Sequence, residues 1–270
     1  DTTRRSRPGR TFLEVGPSVR RNVVRRSARR GGWRRGIDPM PRRRSAAIAD
    51  PRYTQPTSIA DVSLEEVKEA TRSSRYLSYF QPLPETRSEA EAIARMFGGQ
   101  TVHLMLGDQA LESKVNGSDL KPFGFLHFAT HGILGGEVPG LSEPALVLGN
   151  EPGEDGFLTS SEVGKLSLNA ELTVLSACNT GSGEFVTGEG VMGMSRAFLV
   201  AGSRSVVVSL WPVASEETVR LMTGFYRQLK AGKNADEALR ETKLKMIEAA
   251  RKSGSKEGHP FYWAPFIILG

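Results

Sequence analysis

The chain has 270 residues, 39% of them hydrophobic and 24% charged, with a single cysteine, Cys178. That is enough apolar material for one large domain or two small ones. No run approaches the ~18 apolar residues of a membrane span, the Arg-rich start lacks the apolar block of a secretory signal, and one cysteine rules out an internal disulfide framework. The sequence therefore reads as a soluble protein of a reducing compartment, placed in the cytoplasm and away from membranes.

The net charge of +6 divides unevenly. Residues 1–45 hold fifteen Arg against three acids, an excess of twelve positive charges, which leaves the rest of the chain at −6. An arm of this kind, with "RRNVVRRSARRGGWRRG" and "PRRR" and no sustained apolar period, is expected to be disordered. Nucleic-acid binding, if the protein has it, belongs to this arm, because only there is positive charge dense enough to attract a phosphate backbone. The chain opens on Asp1 rather than Met and reads as a fragment of a longer one.

From residue 46 the texture changes to apolar strands alternating with amphipathic helices, the rhythm of an α/β domain with a mostly parallel sheet. "AIADPRY" ends an early strand. "SEAEAIARMF" predicts a helix capped by Ser88, with Glu91 in a capping box and Ile93, Met96 and Phe97 at helical spacing. "TVHLML" follows as a strand and "DQALESKVNG" as a short helix closed by Gly117. "FGFLHFAT", "ELTVLSAC" and "RSVVVSLW" predict three central strands buried on both faces. "GVMGMSRAFLVAG", "SEETVRLMTGFYRQLKAG" and "NADEALRETKLKMIEAARKSG" are helical, the second with Val219, Met222 and Tyr226 on one face. "FYWAPFIILG" supplies a last strand, which Pro265 assigns to an edge.

In open parallel sheets the ligand site lies beyond the carboxyl ends of the strands. Two strand ends carry reactive side chains: His131 followed by Gly132, and Cys178 followed by "NTGSGEFVTGEG". A thiol is only slightly ionised at neutral pH and needs a nearby base, and histidine is the side chain that exchanges a proton there. Read alone, a cysteine at the end of an apolar strand is as well explained as a small core residue. His127, inside the run among aromatic neighbours, reads as a hydrogen-bonded core histidine. The His127–His131 spacing resembles a zinc motif, but Phe128 stands where a zinc peptidase needs glutamate. The Gly-rich segment has no Gly-Lys-Ser/Thr, and Ser195 in "GMSRAF" lacks the second glycine of a nucleophile elbow.

Taken together, "HFATHG", "LSACNTGSG", "GEGVMGMSRAFLVAGSRSVVVSLWPV", "HPFYWAPFIILG" and "PLPETRSEAEAIARMFGG" resemble the CHAT domain, a caspase-like module of bacterial proteins often attached to tetratricopeptide (TPR) repeats. The likeness covers roughly residues 46–270, leaving 1–45 as a segment foreign to the family. It implies a three-layer α/β fold related to caspases, separases and gingipains, with helices flanking a mostly parallel central sheet. It also implies a cysteine endopeptidase in which Cys178 attacks the scissile carbonyl and His131 manages the protons. Backbone amides of Gly132 and Cys178 would form the oxyanion hole, and neither metal nor cofactor is implied.

By the same analogy Trp211, Pro212, Val213, Ser215 and Glu216 line the substrate pocket. Relatives often carry aspartate just past the Val, whereas this chain has Ala214 and Ser215, so an acidic pocket would rest on Glu216 or Glu217. Those two acids are equally placed to complement a helix N-terminus. Expected partners are a protein or peptide substrate and a TPR-type or other regulatory module. A catalytically silent interaction scaffold, and nucleic-acid binding through residues 1–45, are the competing readings.

Overall fold

A computed structural model describes residues 44–53, 76–77, 80–98, 102–151, 153–176, 178–179, 189–211 and 215–270. The Arg-rich arm before Arg44, and with it the expectation of disorder there, lies outside these residues.

The main sheet has six strands: β1 (Arg44–Pro51), β2 (Val102–Gly107), β3 (Phe123–Ala129), β7 (Leu172–Leu175), β9 (Val206–Ser209) and β10 (Phe266–Leu269). Their order is β10-β9-β7-β3-β1-β2, parallel except for β10, which runs antiparallel to β9 at the edge. The three apolar runs predicted as central strands are β3, β7 and β9. Every residue of each is buried, as a sheet covered on both faces requires. "AIADPRY" does end a strand, β1, and that strand sits inside the sheet between β2 and β3. The predicted edge position of "FIILG" holds.

Helices cover both faces, and a short helix, α2 (Glu112–Gly117), follows β2. On one side α1 (Pro84–Met96), α5 (Ser215–Lys230) and α6 (Ala235–Ser253) pack on the sheet. Leu221, Met222, Phe225, Tyr226 and Leu229 of α5 meet Phe125, Val174, Val207 and Phe266. On the other side α4 (Glu189–Ala201) sets Met194, Ala197 and Phe198 against Leu126, Phe128, Val206 and Val208. β1 alternates between the two layers: Ala46 and Ile48 join the α4 side, while Ala47 and Ala49 face Ala90 and Ala94 of α1. Alanine on both surfaces lets α1 approach β1 closely.

Two corrections concern helices. α1 begins at Pro84 with Leu83 as its N-cap residue, so Ser88 is interior rather than a cap. Proline is pre-organised for the first helical position and its missing N–H costs nothing there, which outweighs the capping-box pattern four residues on. On α5 the buried stripe is centred on Leu221, Met222, Phe225 and Tyr226, with Val219 only half-buried. α6 follows its sequence signals closely: the Asn234 side chain accepts the Glu237 N–H, and Gly254 closes the helix in the left-handed region at φ 67°.

A second, smaller sheet escaped the sequence reading. β4 (His131–Ile133), β5 (Ala145–Val147), β6 (Phe157–Thr159) and β8 (Cys178–Asn179) form it in the order β6-β5-β4-β8. Strands of two or three residues carry too little periodicity to be seen in advance. β6 runs into α3 (Ser160–Val163), whose Thr159 and Glu162 form a reciprocal capping box. Leu77, Ile133, Val138, Leu141, Ala145, Val147 and Phe157 give this sheet its own core, with Tyr53, Tyr76 and Phe80 packed against it.

Candidate active site

β3 and β7 each leave the main sheet and continue into the small one. The last tie between them is the Ser176 N–H donating to the Phe128 carbonyl at 2.8 Å. Past this point β4 pairs in parallel with β8, His131 opposite Cys178 and Gly132 opposite Asn179. The offset is the one already running through the main sheet, where Phe128 pairs with Leu175. The two residues singled out as nucleophile and base therefore occupy partner positions on adjacent strands, whose backbones lie about 4.8 Å apart.

The His131 side chain is buried, with 4% of its surface exposed. Its Nε2 lies 2.7 Å from the carbonyl oxygen of Gln81. A carbonyl only accepts, so Nε2 carries the hydrogen, and in the neutral ring Nδ1 holds the lone pair. Nδ1 is buried and makes no hydrogen bond among the described residues. Burial pulls the His131 pKa below its ordinary value, partly opposed by the Gln81 carbonyl, which favours the charged ring. The imidazole is thus held neutral near pH 7 with one acceptor nitrogen unused.

Aromatic rings set the orientation of the imidazole. Phe80 lies 5.3 Å and Tyr53 5.9 Å from it between ring centroids, and the two are 6.0 Å from each other. Burial, together with the charge of Asp50, raises the Tyr53 pKa far above the ordinary phenol range, so this hydroxyl stays protonated. Behind these rings a cleft of about 500 Å³ opens between the end of β1 and the segment before α1, lined by Asp50, Arg52, Tyr53, Phe80, Gln81 and Pro82. None of these was named from the sequence. The signal available was "FQPLPE", an aromatic followed by two alternating prolines; its "PLPE" opened a segment resembling the family, but no residue of it was assigned to the site.

His127, four residues earlier, has a different setting. It is 2% exposed, its Nδ1 lies 3.0 Å from the Tyr226 hydroxyl, and its Nε2 lies 3.0 Å from Glu89 Oε1, an ionic contact rather than an aligned hydrogen bond. Burial, then the Glu89 charge, raise the Tyr226 pKa well above normal. This is the core histidine that the sequence suggested. Among the described residues no cluster of His, Cys, Asp and Glu could hold a metal ion.

The predicted pocket residues are not brought together in the same way. Trp211 is half-buried, donates its indole N–H to the Phe261 carbonyl at 3.1 Å, and packs on the α5 core. Ser215 opens α5, while Pro212 and Val213 lie outside the described residues. The Glu216 side chain is 84% exposed and 4.0 Å from Arg220. Glu217 is nearly buried and 3.9 Å from the same guanidinium, which also holds Glu257 at 2.8 Å. Both acids thus stand in the first turn of α5, engaged by Arg220.

Comparison with known sequences settles the family. The CHAT domain profile matches residues 13–270, nearly the whole chain, beginning inside the Arg-rich segment. The protein belongs to the CHAT family. Two curated relatives match this CHAT domain: human tetratricopeptide repeat protein 28, 28% identical over 251 residues, and its mouse counterpart, 26% identical over 251 residues. Each match covers 82% of this chain but only 10% of the relative, so the chain spans about a tenth of their length. The likeness thus extends to mammalian proteins and is not confined to bacterial ones. Among solved structures, the Arg-specific cysteine proteinase gingipain R matches with a TM-score of 0.43 and 12% identity, over 84% of this chain and 46% of that one. No described helix is long and apolar enough to cross a membrane.

Proposed function

We propose that this CHAT domain is a cysteine endopeptidase working through a Cys178–His131 dyad. The observation that carries the reading is the pairing of a buried, tautomer-fixed imidazole, its Nδ1 unspent, with the cysteine position on the next strand. Nδ1 accepts the thiol proton, and the resulting thiolate attacks the scissile carbonyl, giving a tetrahedral intermediate stabilised by the amides of Gly132 and Cys178. The protonated Nδ1 then donates to the leaving amine as the C–N bond breaks. Water hydrolyses the thioester by the reverse proton path, restoring the thiol.

An unpaired nucleophilic thiol suits a reducing compartment, and we place the protein in the cytoplasm. The two relatives are tetratricopeptide repeat proteins, which supports control of the peptidase by a repeat module, in this protein or in a partner. Substrate selection is assigned to the loop carrying Trp211, Pro212, Val213 and Ser215, with Glu216 at its rim. The Arg-rich residues 1–45 are where any nucleic-acid contact would be made.

The test is a proteome-derived peptide library exposed to the wild type, Cys178→Ala and His131→Ala, with new termini sequenced by mass spectrometry. Cleavage by the wild type alone supports the peptidase. Absence of cleavage, together with a Cys178 thiol that iodoacetamide labels no faster in the wild type than in His131→Ala, overturns it in favour of a scaffold.

A further inference from the structure

β1 ends irregularly. Ala49 pairs with Leu106 and Pro51 with Gly107, so Asp50 is an extra residue bulged out of the ladder. Among the described residues it is the only one other than glycine with a positive φ, 49°. Aspartate enters this left-handed region more easily than most side chains, but still at a cost, and such strain persists where the surroundings over-determine it. Here those surroundings are the first turn of α1. The Asp50 N–H, freed from the ladder, donates to Thr86 Oγ1 at 3.0 Å, and Arg87 Nε donates to Asp50 Oδ2 at 2.7 Å. Thr86 in turn donates to the Leu83 carbonyl at 2.7 Å.

The grip on α1 reaches the active site through a short, stiff link. Between Gln81, whose carbonyl holds His131, and the start of α1 lies only Pro82-Leu83. Pro82 and Pro84 each have φ confined near −65°, and both Gln81 and Leu83 precede a proline, which bars the helical conformation to them; Leu83 sits at φ −117°, ψ 68°. A linker with so few free torsions carries a displacement of the helix start directly to the Gln81 carbonyl. Bulges beside active sites commonly re-aim groups in this manner.

We propose that Asp50 and Arg87 are positioning residues: the bulged Asp50 clamps the first turn of α1 so that the Gln81–Pro84 segment presents its carbonyl to His131 Nε2 and leaves Nδ1 as the acceptor. The inference deepens the peptidase reading and rests on it for its catalytic meaning. Its structural content stands apart from that reading, because the tautomer of His131 can be observed without any substrate.

The experiment uses the full chain with ¹⁵N-labelled histidine, comparing wild type with Arg87→Met, Arg87→Lys and Asp50→Gly. Nitrogen NMR of His131 above its titration range reads which ring nitrogen carries the hydrogen. The wild type shows the Nε2–H form alone. Arg87→Met and Asp50→Gly show a mixture of both forms, and Arg87→Lys, which keeps a cation for Asp50, restores most of the wild-type signal. In parallel, alkylation of Cys178 at pH 7 slows up to about 10²-fold in the first two variants, the scale expected when a misplacement of about 1 Å disturbs a reacting group. An unchanged Nε2–H signal in Arg87→Met overturns the clamp. The Arg87 side chain is 39% exposed, so this variant decides the question even where Asp50→Gly fails to fold. A tautomer shift with Cys178 unreactive in every version leaves the clamp standing and removes the peptidase reading instead.

Discussion

His127 and His131 lie four residues apart on one continuous run of chain and are almost equally buried, yet they do opposite things with their nitrogens. His127 sits within the main sheet between two helices, one ring nitrogen on Tyr226 and the other against Glu89. His131 sits one step past the sheet, with Nε2 held by a backbone carbonyl and Nδ1 left over. Burial therefore does not distinguish the histidine proposed to work from the structural one. What differs is the neighbour of the nitrogen that makes no hydrogen bond: His127 Nε2 faces the Glu89 carboxylate at 3.0 Å, whereas no ion pair or hydrogen bond engages His131 Nδ1 among the described residues.

Exchanging each histidine for alanine gives the sharpest test of this contrast. His131→Ala is expected to lower iodoacetamide reactivity of Cys178 per folded molecule by on the order of 10³-fold, within the range general-base assistance supplies, at a stability cost of about 1–3 kcal/mol for the lost packing and the Gln81 hydrogen bond. A reactive thiol in that variant would break the comparison. His127→Ala reverses the pattern. It leaves Glu89 buried without its partner and should cost about 3–5 kcal/mol in urea unfolding, with thiol reactivity per folded molecule preserved. The lowered pKa of His131 adds a direction in pH: the neutral ring persists below the usual imidazole range, so the acid limb of the alkylation profile falls at lower pH than for an ordinary histidine.

A third buried titratable group extends the contrast. Glu112 is 1% exposed and accepts the Gly156 N–H at 2.6 Å; burial, and then the charge of Asp155, push its pKa up to about 8. The folded state holds this proton more tightly than the unfolded chain, so stability falls as pH rises from about 4.5 through about 8. Glu112→Gln keeps an acceptor and cannot ionise. Urea unfolding at pH 5 and pH 9 should show the wild type losing on the order of 2 kcal/mol more than the variant, the value being reduced for solvent screening. The smallest effect belongs to Tyr226→Phe, which removes one hydroxyl from His127 Nδ1 and should cost about 1 kcal/mol in the same measurement. A much larger loss would mean that His127 depends on that hydroxyl more than on Glu89.

Much of this was legible in the sequence because it is written in periodicity. β3, β7 and β9 are unbroken apolar runs, and α5 and α6 carry both their stripe and their stop signals. The facing of residues 131 and 178 was legible for a related reason: histidine and cysteine each end such a run. The small sheet was not, since β4 and β8 are too short to show a period and are defined by pairing between residues 47 apart. Nor was Gln81, whose contribution is a carbonyl that any residue type would offer. The same holds for the conformation of Asp50, which depends on what α1 brings to it and not on its neighbours in the chain. Side-chain chemistry leaves marks in a sequence, whereas backbone groups used at a site leave almost none.

The shared register of the two sheets has a consequence for insertions and deletions. Because β7 runs on into β8 with the offset it already had against β3, the facing of residues 131 and 178 is inherited from pairs such as Phe128 and Leu175. One residue added between Leu175 and Cys178 would move the thiol along its strand by about 3.3 Å and turn it to the opposite face, with the apolar core untouched. The two-residue spacing between Leu175 and Cys178 and the single Thr130 between Ala129 and His131 fix this facing. Together they act as a ruler for the proposed dyad: a change in either would take residues 131 and 178 out of register.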